Sequence, residues 1–172
     1  MLHRGFRQQA KTDSRGRSIG RLLWAVGCLL MTTPAPAQVF RDDFSKGTGV
    51  PTGWVLREGQ GSWDPPIGGR RSVSVTGTGN DMSYWARLDL DLRPNTTYAI
   101  RFRARALPGS TTHTVIGGLD VCNRDFGASQ AWTDYAFAFT TPSRVQGSFL
   151  RLGQWHLKGT VSFSEVALYP VV

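Results

Sequence analysis

The sequence predicts an all-β sandwich over residues 38–172. Apolar residues recur there with period two in several separate runs, the alternation of half-buried strands. No long amphipathic helix occurs in the same region. Glycine and proline punctuate the gaps: Gly47-Thr48-Gly49-Val50-Pro51, Asp64-Pro65-Pro66, Gly68-Gly69, Gly77-Thr78-Gly79 and Pro108-Gly109. Frequent turns between short alternating runs are the pattern of a sandwich or barrel.

The first element is a leader. Arg4, Arg7, Lys11, Arg15, Arg17 and Arg21 precede an apolar run from Leu22 to Leu30, and Ala35-Pro36-Ala37 precedes Gln38. A basic start, a short apolar run and a small-x-small site predict a secretory signal peptide over residues 1–37, and so a secreted or periplasmic product. The run is shorter than the ~20 residues of a membrane span, and Thr32-Thr33-Pro34 ends it. Ala25-Val26-Gly27-Cys28 loosely resembles a lipobox, but the apolar run before Cys28 is short and a better site follows Ala37.

The leader also carries most of the excess charge. The chain has 20 basic and 12 acidic side chains; six basic and one acidic belong to the leader, leaving fourteen and eleven and a net charge of +3. So small an excess makes no case for a nucleic-acid partner. Cys122 is alone after residue 38. A disulfide framework needs an even count, so the fold relies on an apolar core, and Cys122 reads as a small buried hydrophobe rather than a reactive thiol. About 135 residues is enough for one domain with a real core.

About eight or nine strands follow, near Val39–Ser45, Gly53–Arg57, Ser72–Thr76, Tyr84–Leu92, Thr97–Ala106, Thr114–Val121, Thr133–Thr141, Ser148–Leu152 and Thr160–Tyr169. Thr97–Ala106 is the clearest. Tyr98, Ile100, Phe102 and Ala104 share a core face, and Arg101, Arg103 and Arg105 share the other with Ala99. In the preceding run, Tyr84, Ala86, Leu88, Leu90 and Leu92 form the apolar phase, which puts Trp85, Arg87, Asp89 and Asp91 on the non-core side. Arg93-Pro94-Asn95 makes the turn between the two.

Four stretches resemble the jelly-roll carbohydrate-binding modules of the galactose-binding-like superfamily. They are Phe44-Ser45-Lys46-Gly47 with Gly53-Trp54; Leu92 to Tyr98 continuing into Arg101–Arg105; Trp132 through Phe139-Thr140-Thr141-Pro142; and Leu150-Arg151-Leu152 with Val161–Leu168. They span nearly all of residues 38–172. The resemblance implies a jelly-roll sandwich and a glycan or polysaccharide partner. The opening Asp42-Asp43-Phe44-Ser45, followed by Trp54 and Gly61-Ser62-Trp63, also resembles the start of laminin-G-type and glucanase-type domains. Many members of the first family hold a structural calcium near the first and last strands. Here Ser45 and Ser164 stand where that family often has acids, so no cofactor is expected, although Asp42, Asp43 and Glu165 lie nearby and calcium favours carboxylates.

The candidate binding residues are Trp85, Arg87, Arg101 and Arg103, with Gln154 and Trp155 from the loop-like Gly153–Gly159 segment. An aromatic ring can pack on the C–H face of a sugar while arginine forks bind its hydroxyls or carboxylates. The competing reading is a solvated sheet face, with Arg87 and Arg103 paired to Asp89 or Asp91. Trp155 is either a recognition residue or a cap on the end of the sandwich. Trp54 and Trp132 fall at motif positions that read as structural. No catalytic residue is expected. His113 and His156 are isolated, no nucleophile elbow or paired-cysteine metal spacing occurs, and Asp89 and Asp91 lie on one strand side instead of facing across a cleft as a glycosidase requires. The alternative to a sugar-binding module is a structural or protein-interaction sandwich of the cell envelope with no sugar site.

Overall fold

The computed structural model describes residues 39–111 and 114–171. The expected signal peptide and His113 lie outside the described residues. The strands run β1 (Phe40–Asp42), β2 (Gly47–Thr48), β3 (Val50–Pro51), β4 (Trp54–Glu58), β5 (Gln60–Ile67), β6 (Arg70–Thr78), β7 (Met82–Arg87), β8 (Thr97–Ala106), β9 (Thr114–Leu119), β10 (Cys122–Gly127), β11 (Thr133–Thr140), β12 (Leu150–Trp155) and β13 (Lys158–Pro170). Among the described residues there is no helix.

Two antiparallel sheets form a jelly-roll sandwich. One has the order β11-β8-β13-β6-β5, with β1 beside the second half of β13; the other has the order β10-β9-β12-β7-β4. β2 and β3 form a small separate ribbon. From β6 onward the chain changes sheets at each connection except the β9–β10 hairpin. The long strand β13 lies at the centre, with β8 along one side and β6 then β1 along the other.

Alternation dictates which side chains meet between the sheets. From the six-stranded sheet come Tyr98, Ile100, Phe102, Val161, Phe163, Val73 and Val75; from the five-stranded sheet come Trp54, Trp85, Val115, Leu119, Leu150 and Leu152. Each large apolar side chain buried this way contributes about 1.5–3 kcal/mol. Two strands of the sandwich stand beyond the nine expected. β5 contains Pro65-Pro66 but is an edge strand, where a missing N–H costs no ladder bond. β10 is the other sheet's edge, and its largely exposed residues carry only a faint alternation.

Candidate functional site

The six expected binding residues do not form one site. Arg101 and Arg103 lie on the outer face of the six-stranded sheet, as expected from β8. Trp85 is corrected: it is 3% exposed and sits in the core, where its indole N–H donates to the Ser74 carbonyl at 3.0 Å. β7 ends at Arg87, so Leu88, Leu90 and Leu92 belong to the following loop and do not extend the strand's apolar phase. Tyr84 and Ala86, not Trp85, point outward from β7.

Arg87 shares the inward phase with Trp85 and closes an end of the sandwich. Its guanidinium lies 5.0 Å from the Phe40 ring centroid and 3.7 Å from the Asp42 carboxylate, and it donates to the Thr52 carbonyl. The expected partners Asp89 and Asp91 are not used. Both Asp42 oxygens accept hydrogen bonds: Oδ1 from the Phe44 N–H at 2.7 Å and Oδ2 from the Trp54 indole N–H at 3.0 Å. Asp43 accepts the Ser45 N–H, and the hydrogen bonds from Ser45 hold its carboxyl below the usual range. Glu165 lies on the opposite sheet face beside Arg41 and Arg70. Among the described residues no three acidic, histidine or cysteine side chains converge.

Gln154 is fully buried and braces a turn. Its Oε1 accepts the buried Leu157 N–H at 2.8 Å, and its Nε2 donates to the Asp81 carboxylate at 3.2 Å. Gly77 makes room for it: a Cβ there would stand 2.5 Å from Gln154 Nε2. Asp81 also accepts the Thr78 N–H at 2.9 Å, and that bond is the main reason its carboxyl titrates below the ordinary value. The Gly153–Gly159 segment is therefore a tight turn that carries the chain from β12 in one sheet to β13 in the other, and not an open loop.

Trp155 ends β12 at this turn, 44% exposed on the outer face of the five-stranded sheet. His156 adopts φ 53°, donates its N–H to the Asp81 carbonyl at 2.9 Å, and stacks its ring on Trp155 with centroids 4.8 Å apart. One indole face is thus backed by His156. Among the tryptophans of the described residues, Trp155 is the exposed one; Trp54 is buried and Trp63 and Trp132 are half-buried.

The rest of this outer face combines rings and guanidinium groups. Tyr84 and Phe149 stack with centroids 5.9 Å apart and planes 7° from parallel. Arg151 lies over Tyr84 at 4.8 Å, and Arg57 lies over Phe149 at 5.1 Å. Gly153 permits this packing, since a Cβ there would meet the Tyr84 Cβ at 2.5 Å. Met82 is the register partner of Trp155 and receives an Arg151 N–H on its sulfur at 3.6 Å. Sequence reading missed Tyr84, Phe149 and Arg151. The available signal was the period-two placement of Arg151, Gly153 and Trp155 on one side of β12.

No family model matches the sequence, and no curated protein matches it. Solved structures do. The CBM22-1 xylan-binding domain of Paenibacillus barcinonensis Xyn10C is 14% identical, with a TM-score of 0.58, covering 80% of this chain and 96% of that one. The CBM22-1–GH10 modules of Clostridium thermocellum Xyn10B, complexed with xylohexaose, give a TM-score of 0.59 at 13% identity, over 80% of this chain and 29% of that one. A CBM4 structure gives 0.52 at 17% identity, over 71% and 97%. The chain has the jelly-roll sandwich fold of the carbohydrate-binding modules.

Proposed function

We propose that residues 38–172 are a secreted, non-catalytic glycan-binding module that holds its ligand on the outer face of the five-stranded sheet. Trp155 is the stacking platform, and Arg151 and Arg57 supply donors to sugar hydroxyls. The observation that carries this reading is the exposed indole held rigidly by its neighbours: His156 backs one face and the buried Gln154 braces the turn. A braced aromatic side chain loses little freedom on binding, and its apolar face suits sugar C–H groups. The structures of like fold include a xylan-binding domain and a module complexed with xylohexaose, which supports an extended polysaccharide chain as the ligand. The basic leader, the Leu22–Leu30 run and Ala35-Pro36-Ala37 support export.

Affinity electrophoresis in gels containing xylan, mixed-linkage glucan or glucomannan tests this. Retardation by one of them, weakened at least tenfold by Trp155→Ala (about 1.4 kcal/mol), is the expected result. Binding that survives Trp155→Ala unchanged, or no retardation by any polysaccharide, would overturn it.

A further inference from the structure

We infer that the outer face of the six-stranded sheet is a second binding surface, built for the anionic groups of an acidic polysaccharide. It is separate from the Trp155 face, since the two surfaces lie on opposite sides of the sandwich.

Twelve of the fourteen basic residues after position 38 are arginines, and half of them border one groove. Two adjoining depressions, of about 490 Å³ and 190 Å³, share Arg70 and Arg103. Arg41 and Arg101 line the larger; Arg71 and Arg105 line the smaller. β-strand alternation sets Arg101, Arg103 and Arg105 in a row, spanning about 13 Å along β8. Lysine would serve for general solubility, but the planar arginine fork matches carboxylate or sulfate bidentately.

These charges are only loosely neutralised. Asp134 and Glu165 are the acids lining the groove, against six arginines. Their closest approaches, Arg103 to Asp134 and Arg41 and Arg70 to Glu165, are all 3.9 Å, too long for hydrogen bonds. Arg101 and Arg105 have no carboxylate in ion-pair range among the described residues. Arg105 instead lies 4.6 Å over the ring of Trp132, which is a wall of this surface and not a core residue. The Nε groups of Arg103 and Arg105 are buried with no protein acceptor among the described residues, as are those of Arg87 and Arg151.

The remaining chemistry selects a sugar polyanion. The carboxylates of Asp134 and Glu165 stand among the arginines. A uronic acid or sulfated sugar presents both an anion for arginine and hydroxyl donors for those carboxylates. A nucleic-acid backbone or an anionic membrane presents dense phosphate, which Asp134 and Glu165 oppose.

Calorimetric titration of the purified protein with polygalacturonate, chondroitin sulfate, neutral xylan, duplex DNA and phosphatidylglycerol vesicles tests the inference. Expected is binding to polygalacturonate or chondroitin sulfate that falls at least tenfold between 50 and 300 mM salt and at least tenfold in Arg101→Gln/Arg103→Gln, with an unchanged melting temperature. The single Arg105→Gln variant covers the case in which the double variant fails to fold. No binding to either acidic polysaccharide, wild-type affinity in the variants, or equal affinity for DNA or vesicles would overturn it. Because the xylan arm reports the Trp155 face, either surface can fail while the other stands.

Discussion

Replacing Gln154 by leucine tests whether the β12–β13 turn is a built platform. The side chains are close in volume, so the change removes hydrogen bonds without a large cavity. The Leu157 N–H is buried and would lose its acceptor, which costs about 1–3 kcal/mol. The donor contact to Asp81 would also go, but the Asp81 carboxylate can turn to water, so that loss is about 0.5–1.5 kcal/mol. Extra apolar burial returns roughly 1 kcal/mol. The net is a loss of about 2 kcal/mol. For a domain this size it corresponds to a fall in melting temperature of roughly 7 °C, or about 1 M in urea midpoint at an m-value of about 2 kcal/mol/M. The assay is urea unfolding followed by tryptophan fluorescence. The neighbouring Trp155→Ala change, at an exposed position, should cost about 1 kcal/mol or less. A Gln154→Leu midpoint within about 0.2 M of wild type would refute the brace.

Other expectations concern the ends and the pH response of the fold. Asp42→Ala strips the partner from the buried Trp54 indole N–H and the nearest carboxylate from Arg87; thermal unfolding should show a loss of about 2–4 kcal/mol. Asp81 has a folded pKa below its ordinary value of 3.8. Its contribution to stability is therefore complete above pH 3.8 and is lost as the pH falls through the lower folded value. Acid titration should free Trp155 to quenching by acrylamide below pH 3.8, and Asp81→Asn should remove that step. A wild-type quenching profile in Asp81→Asn would contradict the assignment.

The sandwich was legible because its strongest signals are local. In β8 every second residue is apolar, and its predicted ends, Thr97 and Ala106, match the structure. The residue count of β7 was the weak point. Three leucines after Arg87 continue the phase of Tyr84 and Ala86, so alternation alone selects the wrong inner face. Only the end of the strand at Arg87, and the indole bond from Trp85 across to Ser74, decide otherwise. Gln154 was legible as a polar residue beside Trp155 but not as a buried one. Its burial depends on Gly77 and Asp81, more than seventy residues earlier in the chain. The Arg101–Arg103–Arg105 row followed directly from strand periodicity, whereas the contributions of Arg41 and Arg70 depend on how β1 and β6 flank β13.

The most direct test of the central claim is to follow acrylamide quenching of tryptophan fluorescence as xylan or another polysaccharide is titrated into wild-type protein and Trp155→Ala. Trp155 is the exposed indole among the described residues, so a sugar stacked upon it must shield it. The expected result is a saturable fall in quenching in wild type that is absent in the variant. Saturable polysaccharide binding with no change in quenching would contradict it, and would place the ligand elsewhere on the sandwich.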